Sequence, residues 1–96
     1  MFDNIRKWAL DRNLVTGSTP SIQLNKLIEE VGELATGVNK RNTEVVLDSI
    51  GDAIVVLTIM ASQYGVNVEK CIEMAYDEIK HRKGRMVGGM FIKEGD

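Results

Sequence analysis

Three glutamates, Glu29, Glu30 and Glu33, crowd one turn of "KLIEEVGELA" (26–35), and two aspartates, Asp48 and Asp52, interrupt the apolar run "DSIGDAIVVL" (48–57). Glu30 and Glu33 are three residues apart and Glu29 and Glu33 four, spacings that make neighbours on one helix face. Asp48 and Asp52 are four apart, with Ser49 three before Asp52. Two such helices packed antiparallel would bring the acidic stripes face to face as a cage of oxygen ligands. Carboxylates repel one another and are costly to desolvate unless positive charge sits between them. A hard divalent cation suits the cage: magnesium takes oxygen ligands, keeps several waters, and relies on a few carboxylates plus substrate phosphates. With three to five carboxylates there is room for two ions, an arrangement suited to in-line displacement at phosphorus.

Other readings of the acids are weaker. Zinc would want thiolate or imidazole ligands, and the chain has one cysteine and one histidine. A di-iron carboxylate bundle needs two Glu-x-x-His pairs, and Glu78 with His81 supplies one. Glu29, Glu30 and Glu33 alone could form a solvated face paired with Lys26 and Lys40. That account does not explain acids inside the nearly all-apolar helix that follows.

Positioning these groups falls to helices. Four are expected, over about 2–13, 20–38, 44–64 and 68–83. The first shows Phe2, Ile5, Trp8 and Ala9 on one face. "TGSTPS" breaks the pattern, and Ser18 or Thr19 can cap the second helix with Pro20 in its first turn. Leu24, Leu27, Ile28, Val31, Leu34, Ala35 and Val38 then recur at three- and four-residue steps, an amphipathic period. The short polar link 39–43 favours antiparallel neighbours. The third helix is apolar nearly all round and stops at Gly65, and Asn67 can cap the fourth. In the tail, "RMVGGMFIK" (85–93) has two apolar runs around Gly88-Gly89, either a tight hairpin or an extended arm over 85–96.

The expected fold is therefore all-α, a four-helix bundle-like subunit in one domain over 1–96. A helix apolar on every face must be covered on every face, and three short helices of one chain can hardly do that. A homodimer or homotetramer is the expected solution. The chain is 96 residues long with net charge −2, 44% apolar and 27% charged, an ordinary globular balance with no sign of a nucleic-acid binder. One cysteine excludes an intrachain disulfide framework and points to reducing cytoplasm. "MFDNIRKWAL" carries charges where a signal core would lie, and the apolar run 53–61 is too short for a bilayer, so no membrane association is expected.

The ordered pair "KLIEEVGELA" and "DSIGDAIVVL", with "WALDRNL", "QLNKLIEE" and "YDEIKHRKGRMVGGMFIKE", resembles the MazG-like family of the all-α nucleoside triphosphate pyrophosphohydrolase superfamily. The likeness runs over most of the chain. That superfamily's signature is an EExxE helix followed by an ExxD helix, and relatives act on dUTP and dCTP. Here EExxE is intact as Glu29, Glu30 and Glu33. Asp52 matches the second aspartate, but the ExxD glutamate position is Ser49, with Asp48 one residue earlier as the substitute. The number of metals stays open on that account.

The resemblance implies Mg²⁺ or Mn²⁺, a nucleoside triphosphate substrate, and cleavage between the α and β phosphates to monophosphate and pyrophosphate. It makes Glu30, Glu33 and Asp52 direct metal ligands and Asp48 a further one, with Glu29 ligating or orienting the attacking water. Chemistry agrees: the α-phosphate repels a nucleophile until cations neutralise it, and Glu29 can accept the water's proton if it reaches it. Lys80, Arg82, Lys83 and Arg85, with His81 beside them, are the expected grip on the β and γ phosphates. The alternative is a basic cluster that simply favours a helix C-terminus. Lys26 either contacts phosphate or pairs with Glu30. Gln23 and Asn25 carry amides suited to base edges, though a solvated helix position is the default. Trp8 is expected in the core, with stacking on a base the alternative. Cys71 reads as a packing residue, and Met60, Met74, Met86 and Met90 as core or interface. The rival to an enzyme is a catalytically weak helical nucleotide-binding or oligomerisation module, motivated by Ser49.

Overall fold

The structure is a computed structural model that describes residues 1–95. Four helices, α1 (Phe2–Asp11), α2 (Pro20–Asn39), α3 (Thr43–Gln63) and α4 (Val68–Ile79), precede a hairpin of β1 (Gly84–Val87) and β2 (Met90–Lys93). Side chains start three of the helices. Thr19, Asn42 and Asn67 accept from the backbone N–H of Ile22, Val45 and Lys70, and Pro20 opens α2 with the φ a first turn needs.

One device ends α1, α2 and α3. A residue of positive φ, Asn13, Arg41 or Gly65, is followed by an N–H that reaches back across the last turn. These bonds are Leu14 to Ala9 (2.9 Å), Asn42 to Gly37 (2.9 Å) and Val66 to Ala61 (3.1 Å). Gly65 advertised this in the sequence and Arg41 did not; the left-handed Asn13 closes α1 at Asp11 rather than near 13. α4 stops at Ile79, four residues before its expected end, because strand pairing claims the following backbone. The hairpin pairs Gly84 with Lys93 and Val87 with Met90. Beyond that pairing the Glu94 N–H donates to the Lys83 carbonyl at 2.8 Å. Gly88 and Gly89, at φ 57° and 82°, make the turn that two consecutive left-handed residues allow.

The core is small and lies where α1 and α2 meet α3: Ala9, Val56, Ile59 and Ala61, with Thr58 and Ser49 fully enclosed. Gly37 lets the end of α2 approach the start of α3, since a Cβ there would lie 2.9 Å from Val45 Cγ1 and 3.2 Å from the Val46 nitrogen. α4 buries only Val68. Arg6 of α1 ties α4 down by donating to Glu69 at 2.8 Å, and Gln63 Nε2 reaches the Val15 carbonyl at 3.4 Å.

Much apolar surface is left over. Leu24, Ile28, Val31 and Val38 on α2 and Leu47, Ile50, Ile54 and Leu57 on α3 are exposed, as are Ile72, Ile79, Phe91 and Ile92 further on. The radius of gyration is 16.1 Å, against about 13 Å for a compact chain of this length. By length and composition α3 is apolar enough to cross a bilayer, with mean hydropathy 1.9, and 28% of that stretch is buried in one chain. Its carboxylate Asp52 and its outward Ile54 are two residues apart, so they point to opposite sides of the helix.

Candidate metal centre

Capped at Thr19 and Asn42, α2 and α3 run antiparallel through the short 40–42 connection and bring their acidic stripes together. Oxygens of Glu30, Glu33 and Asp52 lie within 4.8 Å of one another. Glu30 is 4% exposed, Asp52 half-buried and Glu33 exposed, so the group runs from the interior to the surface. Lys26 stands one turn earlier, its Nζ 3.3 Å from Glu30 Oε1 and 3.5 Å from Glu29 Oε2. The hydrogen bond to Glu30 holds the Lys26 ammonium above its ordinary pKa. A single ammonium does not balance the acids around it: burial, then the charges of Asp48 and Glu30, push the Asp52 carboxyl above its usual range.

The residues fit a hard cation. Glu30 Oε2 is buried with no hydrogen-bond partner among the described residues. A buried carboxylate oxygen without a donor is destabilising, and a divalent ion among three converging carboxylates would satisfy it. The donors are all oxygen, the set magnesium and manganese prefer.

Clefts open on two sides of the cage. One, of about 710 Å³, is lined by Glu29, Gly32, Glu33, Thr36, Val45, Asp48 and Ser49. The other, of about 350 Å³, is lined by Asn4, Ile5, Trp8, Asp52 and Val55. Asp48 thus lies beside the three-carboxylate group rather than within it, near enough for its charge to act on Asp52. Ser49, the departure from ExxD, is 1% exposed, at the floor of the larger cleft.

The remaining expected residues are distributed differently. Gln23 is buried, and its Nε2 donates to Ser18 Oγ at 3.1 Å, so that donor is occupied within the chain. Trp8 departs from the core expectation: 43% of its surface is exposed, with the Arg12 guanidinium 4.7 Å from the ring centroid. Packing explains this, because Ala9 takes the position against α3 and leaves the larger ring at the edge. His81, Arg82 and Lys83 line a cleft with Glu78, Lys93 and Glu94, and Arg85 another with Ile92 and Lys93. Neither shares a residue with the clefts beside the acids. Lys80 and Arg82 pair locally with Asp77 (3.0 Å) and Glu78 (3.7 Å). Cys71 is exposed and lines an apolar groove between α3 and α4 with Leu57, Met60 and Ile72.

Comparison with known proteins bears on this geometry. The profile of the MazG nucleotide pyrophosphohydrolase domain matches residues 18–87, from the cap of α2 to the end of β1. An uncharacterised 18.2 kDa protein from the rep-hol intergenic region of Haemophilus phage HP1 is 54% identical over 63 residues. That stretch is 66% of this chain and 39% of the phage protein, so the chain matches well under half of the relative's length. No solved structure matches the chain.

Proposed function

The chain belongs to the MazG nucleotide pyrophosphohydrolase family, and we propose on that premise that it hydrolyses a nucleoside triphosphate between the α and β phosphates. Water's oxygen bonds to the α-phosphorus, the α–β anhydride bond breaks, and monophosphate and pyrophosphate leave. The observation that carries the reading is the convergence of Glu30, Glu33 and Asp52 around a buried, unpartnered carboxylate oxygen.

In this reading Glu30, Glu33 and Asp52 hold Mg²⁺ or Mn²⁺, with Asp48 the further ligand if a second ion binds. When bound, the ion supplies Lewis acidity and neutralises phosphate charge. Glu29, at the rim with its side chain 67% exposed and Lys26 against its Oε2, takes the attacking water's proton on Oε1. Lys26, 3.3 Å from Glu30 Oε1, orients that carboxylate. Lys80, Arg82, Lys83 and Arg85 remain the proposed grip on the β and γ phosphates. Because Arg82, Lys83 and Arg85 line clefts separate from the acidic ones, a second copy of the chain is the proposed source of that grip. The exposed apolar faces of α2 and α3 support a homodimer or homotetramer, and the cytoplasm suits its nucleotide substrate.

A panel of NTPs and dNTPs with Mg²⁺ or Mn²⁺, scored for products, tests the reaction. Monophosphate with pyrophosphate is expected. Diphosphate with orthophosphate would overturn the bond assignment, and no product from any nucleotide would overturn the enzyme. Glu33→Gln is expected to weaken metal binding and abolish turnover while circular dichroism still reports the helices; unchanged metal affinity would refute the cage. Ser49 in place of glutamate favours one second reading, a catalytically weak nucleotide-binding module, which predicts saturable nucleotide binding without turnover.

A further inference from the structure

We propose that the smaller cleft on the Asp52 side of the cage is a nucleobase subsite, with Trp8 stacking on the base and Asn4 meeting its edge. The proposal rests on the nucleotide reading above and adds the direction in which the substrate lies. The cage stands between two unlike clefts. The larger presents Glu29, Glu33 and Asp48, carboxylates that admit an anionic polyphosphate only with cations between them. The smaller presents an indole, two aliphatic side chains (Ile5 and Val55) and one amide, with Asp52 at its cage end.

Those are the parts a base requires: a π-face, apolar walls and a neutral donor–acceptor pair. Its volume, about 350 Å³, lies in the range of small-molecule sites. Trp8 is half-exposed at the cleft, beside Ile5 on the same wall, whereas Ala9 next to it is enclosed. Arg12 lies over the ring, so a base stacks on the other face or displaces the guanidinium. Asp52 at its cage end lies on the side of α3 opposite Ile54, away from the outer apolar residue that a second copy would cover. A nucleotide would then lie with its base against α1, its α-phosphate at the cage and its pyrophosphate towards Thr36 and Asp48.

Trp8 is the protein's one tryptophan, so its fluorescence reads the subsite directly. The probes are nucleoside monophosphates carrying each of the four common bases, with Mg²⁺, and inorganic tripolyphosphate as a baseless control. At least one monophosphate is expected to change the fluorescence saturably, and tripolyphosphate to leave it unchanged. By calorimetry Trp8→Ala should weaken that monophosphate roughly 5- to 150-fold, the range for one base–aromatic stack. Trp8→Phe should recover most of the affinity, and tripolyphosphate should bind both variants as it binds the parent. Asn4→Ala should change the ratio of affinities among the four bases. No fluorescence change with any nucleotide would overturn the proposal, as would equal losses of monophosphate and tripolyphosphate in Trp8→Ala. An unchanged base ratio in Asn4→Ala would remove Asn4 from it. Hydrolysis with an unaffected Trp8→Ala defeats this subsite alone, whereas stacking without hydrolysis defeats the enzymatic reading alone.

Discussion

Two parts of the molecule solve the burial problem differently. The α1–α3 part encloses a core, however small, and uses it to hold four carboxylates close together. The α4–hairpin part buries Val68 and leaves Ile72, Met74, Ile79, Phe91 and Ile92 to solvent, with the basic residues among them. An isolated two-stranded hairpin is marginal in water, so its apolar residues gain more from a partner surface than from their own chain. The difference teaches that charge concentration needs a rigid frame, which one chain supplies, while the cations and greasy surface beyond it are suited to a second copy.

The sharpest test of the framed half is Asp52→Asn. Several kcal/mol of transition-state charge stabilisation pass through such a site, so activity should fall on the order of 100-fold or more. The metal-free variant, assayed in chelator, should melt higher than the parent because a crowded charge is gone. A lower midpoint would mean that Asp52 is there for packing. Next in size is the outer face. If copies pair through the α2–α3 face as proposed, Ile54→Lys should give monomers by sedimentation, since an isoleucine covered by a partner is worth roughly 1.5–3 kcal/mol and each copy would lose one. If Ile54→Lys leaves the assembly intact while Phe91→Ala breaks it, the hairpin rather than the α2–α3 face holds the copies together. Mixing Glu33→Gln with Arg85→Ala should restore activity that neither variant has alone if the phosphate grip comes from the partner; failure to restore it would return that grip to the same chain.

Smaller effects probe the frame itself. Gly37→Ala should lower stability by roughly 1 kcal/mol in denaturant unfolding, because crowding Val45 and the Val46 backbone outweighs the helix-propensity gain. The smallest concerns the tie between the two parts. The hydrogen bond from Arg6 holds the Glu69 carboxyl below its usual range. A depressed carboxyl contributes stability above the unfolded value of about 4.3 and loses it as pH falls through the folded one. Glu69→Gln should therefore melt slightly below the parent at neutral pH and together with it in strong acid. A constant difference across that range would mean the pair acts through shape rather than charge.

Much of this was legible beforehand for identifiable reasons. The periodic apolar residues of α2, the nearly all-round apolar run of α3, and the caps offered by Ser18 or Thr19 and by Asn67 are local signals. So is Gly88-Gly89, and all of these elements formed where expected. The pairing of EExxE with Asp52 was legible because helix period and the short polar link read at 39–43 leave few ways to pack. Three features were not. Arg41 adopts a left-handed conformation that its residue type does not announce, and Asn13, a type that tolerates it, sat inside the expected first helix. The end of α4 is decided by pairing with β2, residues that follow it in the chain. Trp8 shares an apolar stripe with Ala9, and only the contact with α3 decides which of them is enclosed.

By itself the sequence determined which residues are acidic, at what spacing, and that they ride on helices, because helix period is a local property. The tertiary structure decided the rest. It drew Glu30, Glu33 and Asp52 into one cluster and left Asp48 beside it. It also opened one cleft rich in carboxylates and another walled by an indole. Those outcomes depend on how two helices rotate and approach, and that is set by which side chains fit between them.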